Sequence, residues 1–189
     1  GELLTREKAA KFLKLGTKAR YMLFFGLIRD YKGLDWLLEA FAASGLKNRG
    51  VKLIVAGEFY GNGDKYHRLA QDLGLEESIV WATEFISDSM VKYYFSLADI
   101  IVQPYKSATQ SGVTQIGFHF HKPMLVTNVG GLAEIIPDGK VGYAVNPAPE
   151  SIAKALCDFF DNERQHSFDQ GIEDEVKKYS WSNMTKSIK

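Results

Sequence analysis

The feature that most constrains this chain is the alternation of short apolar runs with amphipathic windows. Apolar runs stand at 20–27 (RYMLFFGL), 51–57 (VKLIVAG), 78–83 (SIVWAT), 99–105 (DIIVQPY), 123–128 (PMLVTN) and 142–146 (GYAVN). Most are nearly continuous in apolar residues, as strands buried on both faces should be. Between them the spacing turns helical: Leu34, Leu37, Leu38, Phe41 and Ala42 recur at i, i+3, i+4, i+7 and i+8, as do Ile152, Ala155, Leu156, Phe159 and Phe160. Val91, Tyr94, Phe95 and Ala98 make another stripe behind Ser87 or Asp88 as cap, and Tyr66, Leu69, Ala70 and Leu73 a shorter one closing at Gly74. This order predicts an α/β fold: a doubly wound, Rossmann-like, parallel six-stranded sheet with helices on both faces.

A leading helix is expected at 5–14, capped by Thr5 and packed through Ala9, Phe12 and Leu13, then a core at 20–161. In the tail, 162–189, Phe168, Ile172 and Val176 share one helical face, and Ser180 or Ser182 could cap a last helix. With 189 residues and no linker or repeat, one domain is expected. Gly1 rather than methionine at the start suggests a processed or excised piece.

The 23 basic and 23 acidic residues cancel, so no polyanion-binding surface is indicated and no nucleic-acid partner is expected. The lone Cys157 sits in a helical apolar pattern and reads as a buried, inert thiol. A reducing, cytoplasmic compartment follows, and no apolar run approaches the ~18 residues of a membrane span.

In a doubly wound sheet, ligands collect beyond the carboxyl ends of the strands, near the point where strand order reverses. That rule nominates the corners 26–33, 57–64, 83–88, 105–112 and 128–134. At 105–112, Ser111 and Gly112 open a helix whose unpaired N–H groups suit an anion, with the glycine permitting close approach; alternatively Ser111 is simply a helix cap. The corner GLIRDYKG adds Arg29 and Lys32, and together these features favour a diphosphate.

Competing motifs fail. GNGDKY at 61–66 lacks the third glycine of a dinucleotide fingerprint, which disfavours an oxidoreductase, and no P-loop is present. His119 and His121 are two apart, on different sides of a helix, so no metal is expected; His67 and His166 read as surface residues.

The strings FFGLIRDYKGLDWLLEAF, VKLIVAGEF, EFISDSMVKYYFSLADIIVQPYKSATQSGVTQIGF, KPMLVTNVGGLAEIIPDGKVGYAV and YSWSNM resemble, in order and spacing, the C-terminal nucleotide-sugar-binding domain of family 4 retaining glycosyltransferases of the GT-B fold. The resemblance implies two Rossmann-like domains across a cleft, of which this chain is the second; the missing N-terminal domain would hold the acceptor site, and the tail would cross back to it. It implies a hexosyltransferase in the full-length protein, inactive as this domain alone, using a UDP-sugar or GDP-sugar as substrate and no cofactor. It further implies a place in cytoplasmic polysaccharide biosynthesis, with any membrane association depending on the absent half.

By the same resemblance Lys32 contacts the donor diphosphate, with Gly26 and Arg29 on that edge and Lys32 and Arg29 stabilising the leaving group. Gln110, Ser111, Gly112 and Val113 approach the phosphates and sugar, the Ile86 backbone faces the base, and Gln115 lies near the ribose. Glu134 is the remaining carboxylate near the edge. Two departures stand out: Leu27 replaces a common arginine, and Ala108 and Ile116 replace two glutamates. These departures motivate an alternative, a non-catalytic nucleotide-sugar-binding or interaction module of the same fold.

Overall fold

The computed structural model describes residues 2–108 and 111–187, with side chains through residue 180. Six parallel strands form one sheet: β1 (Arg20–Phe25), β2 (Val51–Ala56), β3 (Ile79–Ala82), β4 (Ile100–Gln103), β5 (Met124–Thr127) and β6 (Gly142–Val145), in the order β3-β2-β1-β4-β5-β6. Every expected strand is present, each shorter than its apolar run. β1 stops where Gly26 turns to a φ of 112°. β4 stops because Pro104, lacking an N–H, cannot continue a ladder.

The intervening helices are α1 (Arg6–Leu13), α2 (Leu34–Ser44), α3 (Asp64–Asp72), α4 (Asp88–Leu97), α5 (Gly112–His119), α6 (Leu132–Ile135), α7 (Pro149–Asp161) and α8 (Asp169–Ser187). α2 packs against α7 and α3, whereas α1 packs against α4 and α5 against α8, so the sheet is covered on both sides. Leu37, Leu38 and Phe41 of α2 and Ile152, Leu156 and Phe159 of α7 are fully buried, as their spacing required. Each such side chain contributes about 1.5–3 kcal/mol by leaving water.

Four expectations change in detail. Thr5 does cap α1, accepting from the Lys8 N–H at 3.3 Å, but Phe12 is 48% exposed and stacks on Tyr93 of α4; Ala9 and Ala10 carry the buried face. Ser87 precedes α4 without a capping bond, its hydroxyl lying 3.0 Å from that of Ser89. Neither Ser180 nor Ser182 starts a new helix, because α8 runs unbroken through both. Cys157 is half-buried, with burial raising its thiol above the ordinary range.

The sheet order reverses between β1 and β4. Their ladder pairs Met22 with Ile100 and Leu23 with Ile101, against six pairs along β1 and β2. Past those pairs the two carboxyl ends lead toward α2 and α5 on opposite faces, the place where a doubly wound sheet ordinarily takes its ligands. Among the described residues no helix is long and apolar enough to cross a membrane.

Candidate functional site

The corner after β1 folds back on itself. Ile28 bridges Phe59, donating to Glu58 O at 2.8 Å and accepting from the Tyr60 N–H at 3.0 Å. A single 3-10 turn, Asp30–Lys32, then runs into Gly33, whose φ of 71° starts α2. A Cβ on Gly33 would stand 1.9 Å from Pro104 O, so glycine alone lets this corner press against the corner after β4. The Lys106 N–H donates to Tyr31 O at 2.7 Å and locks the two corners together.

The Lys32 side chain turns back over Gly26, its Nζ 3.2 Å from the place a Cβ there would occupy. Val113 Cγ2, in the first turn of α5, lies 3.9 Å from the same point. Thus a half-buried cation and the start of a helix meet above the end of β1. Burial, and secondarily the charge of Arg29, hold the Lys32 ammonium below the ordinary lysine range. Its Nζ stands 6.0 Å from the centre of the Tyr105 ring, and no carboxylate forms an ion pair with it among the described residues.

The opposite wall begins at Gln103, 1% exposed at the end of β4. Ser111 occupies the cap position of α5 with extended backbone, yet makes no capping bond. Its hydroxyl instead donates to Gln103 Oε1 at 2.6 Å, with the buried Tyr105 hydroxyl 3.5 Å away. The Thr114 hydroxyl donates to Ser111 O at 2.6 Å. Ser111 is therefore not the simple cap that one reading of the sequence allowed, and the first N–H groups of α5 receive no side-chain acceptor from it. A Cβ on Gly112 would meet nothing within 4 Å among the described residues. Among the described residues Gln103 Nε2 is buried without a partner, a cost of about 1–3 kcal/mol.

The remaining expected residues spread along the same edge. Arg29 is exposed, its guanidinium 4.2 Å from the Tyr60 ring centroid. Ile86 is half-buried in the loop after β3 and packs against the core. Gln115 lines a 490 Å³ groove between α4 and α5 with Val91, Ile116 and His119. Glu134 is exposed on the short α6. Gln110 lies outside the described residues. Ala108 and Ile116 pack against the hydrophobic core. His121 follows α5 with a φ of 54°, and His67 is exposed with its ring 4.2 Å from that of Trp81. His166, also exposed, contacts Asp169 at 3.0 Å. The described residues hold no group of three or more potential metal ligands. Sequence reasoning missed Gln103 and Tyr105; an amide ending an otherwise apolar strand was the available signal.

The profile of the family described as "Glycosyl transferases group 1" matches residues 19–162, most of the chain. The chain belongs to that family. This group 1 domain is 31% identical over 173 residues to an uncharacterized glycosyltransferase of Methanocaldococcus jannaschii, covering 88% of this chain and 43% of that protein. It is 26% identical over 183 residues to a D-inositol 3-phosphate glycosyltransferase of Corynebacterium aurimucosum, covering 93% and 43%. The chain thus spans less than half the length of these curated relatives. Its fold superposes on the C-terminal domain of a group 1 glycosyl transferase from Francisella tularensis with a TM-score of 0.79, at 24% identity and 92% coverage of each. With Anabaena HepE, solved in complex with UDP-glucose, the TM-score is 0.80 at 16% identity, covering 92% of this chain and 49% of that one. The fold is therefore the Rossmann-like half of a GT-B architecture.

Proposed function

We propose that this chain is the donor-binding half of a retaining glycosyltransferase, holding the diphosphate of a nucleotide sugar between Lys32 and the start of α5. The observation that carries the reading is their convergence above Gly26, 3.2 Å for Lys32 Nζ and 3.9 Å for Val113 Cγ2. A half-buried ammonium that forms no carboxylate ion pair among the described residues, beside the start of a helix that Ser111 does not cap, is complementary to a diphosphate. Arg29 stands on the same edge as a second cation, and Gly26 keeps the floor low. Ile86 would face the base, Gln115 the ribose, and Gln110, Ser111, Gly112 and Val113 the phosphates and sugar, with Glu134 on the outer edge.

In the transfer, the bond between the anomeric carbon and the diphosphate oxygen breaks and the leaving oxygen takes the electron pair. Lys32 and the α5 amides stabilise that charge in a partly water-excluded corner. The acceptor hydroxyl forms the new bond on the face the diphosphate leaves, and its proton passes to the departing phosphate or to a base in the rest of the enzyme. No side chain gathered at this corner serves as nucleophile. The reaction is placed in the cytoplasm, and residues 162–189 would reach back toward the acceptor half.

Uridine is the favoured base, since HepE is seen with UDP-glucose and with UDP. The relatives' names span inositol phosphate and lipopolysaccharide acceptors, which leaves acceptor choice to the part beyond this domain. A calorimetric panel of UDP, GDP, ADP, CMP and their sugar conjugates tests the reading: one nucleoside diphosphate should bind, and Lys32→Ala should remove that binding.

A second reading, a binding module without turnover, is favoured by Ala108 and Ile116 packing into the core where the related family carries glutamates. It predicts nucleotide binding by this domain with no sugar transfer by the full-length protein.

A further inference from the structure

We propose that Gln103 is a positioning residue that keeps the start of α5 open to an anion by holding the Ser111 hydroxyl away from it. The inference rests on the diphosphate reading and adds a residue and a device to it.

A serine at a helix cap ordinarily turns its oxygen to accept from the second or third N–H of the helix, here Val113 or Thr114. Those are the donors a phosphate at this corner needs, so a capping serine and a bound phosphate compete for them. In this structure Ser111 makes no capping bond; its single hydroxyl hydrogen goes to Gln103 Oε1 at 2.6 Å. Tyr105 closes the other side, its hydroxyl 3.5 Å from the same Oγ.

Gln103 is not explained by stability. It follows Ile100, Ile101 and Val102, all buried, and is itself 1% exposed. Its amide satisfies one atom and leaves Nε2 buried without a partner among the described residues. A leucine at this position would continue the apolar strand with no orphaned donor. The feature the amide supplies and a leucine cannot is the acceptor that turns Ser111 away from α5.

The device has two readouts. With UDP as probe, calorimetry on the chain and on Gln103→Leu should show affinity falling about five- to tenfold, the size of one cap interaction. In the ligand-free chain, amide hydrogen exchange at Val113 or Thr114 should slow by a similar factor, because the released Ser111 hydroxyl turns to cap them. In a Ser111→Ala background, which has no hydroxyl to release, the same replacement of Gln103 should change affinity by less than about threefold. A merely structural glutamine would weaken UDP equally in both backgrounds, and that result overturns the proposal. Unchanged amide exchange in Gln103→Leu overturns it as well, whatever UDP does. If the unsubstituted chain takes up no UDP while Gln103→Leu still slows exchange, the nucleotide reading fails and the Ser111 arrangement stands. Gln103→Met carries the same tests should the leucine variant not fold, as judged by its thermal midpoint.

Discussion

Lys32 is held where burial disfavours its ammonium, and the proposed diphosphate would offset that penalty. Burial and Arg29 both lower its pKa, so a bound diphosphate should raise it again and the complex should take up protons in mildly alkaline buffer. Binding is complete while Lys32 is protonated and is lost as pH rises through its lowered pKa. Folding runs the other way: a basic group with a depressed folded pKa weakens the fold in full below that value, and the penalty fades as pH rises from there to the ordinary lysine pKa of the unfolded chain. Titrating UDP across pH 7–10.5 in buffers of different ionisation enthalpy measures the proton uptake and the loss of binding, and Lys32→Arg, whose cation does not titrate in this range, should bind without the uptake. Gly112→Asp separates binding from stability at this corner. Its side chain enters open space, and a carboxylate in the first turn of a helix stabilises by about 0.3–1 kcal/mol, so the thermal midpoint should hold or rise while UDP binding disappears. Lys32 was visible in the sequence as a cation beside a glycine after a strand, though its contact with a donor diphosphate came only from the family resemblance. Gln103 was not, because its partner is eight positions further on, across a corner whose course no local pattern reveals.

Two close approaches decide how the elements fit. Gly33→Ala would place a Cβ 1.9 Å from Pro104 O at a φ of 71°, and should destabilise by about 3 kcal/mol or more, read from a urea midpoint. Gly171→Ala would place one 1.9 Å from Lys140 O, where α8 lies on the loop before β6. The same contact is tied by the buried Glu175, 2.9 Å from Lys140 Nζ. That variant should lose about 2–3 kcal/mol and expose Phe168 and Ile172, detectable by dye binding. Strand number, helix stripes and sheet type were legible because burial on both faces leaves continuous apolar runs. Strand ends were overrun by one or two residues, since Gly26 and Pro104 end the ladders by backbone geometry while the apolar run continues. The fate of Ser180 and Ser182 was not legible either, because a serine can be a cap or a solvent-facing helix residue and tertiary packing decides.

At the scale of the whole molecule, strand order 3-2-1-4-5-6 places the β1 and β4 corners side by side, and the meeting of Lys32 with the start of α5 depends on that adjacency. Composition could not show it; alternating strands and helices fix the fold class, while the position of the reversal emerges only from the assembled sheet. The decisive measurement is calorimetric titration of UDP into the chain, Lys32→Ala and Gly112→Asp, each checked by its thermal midpoint. A ligand at about 100 times its dissociation constant should stabilise the unsubstituted chain by about 2.7 kcal/mol, a rise of several degrees at this size. Binding by the unsubstituted chain, lost in both folded variants, is the expected result. A nucleoside diphosphate that binds Lys32→Ala and Gly112→Asp as tightly as the parent, or no binding by the parent, would contradict the assignment of this corner to the donor diphosphate.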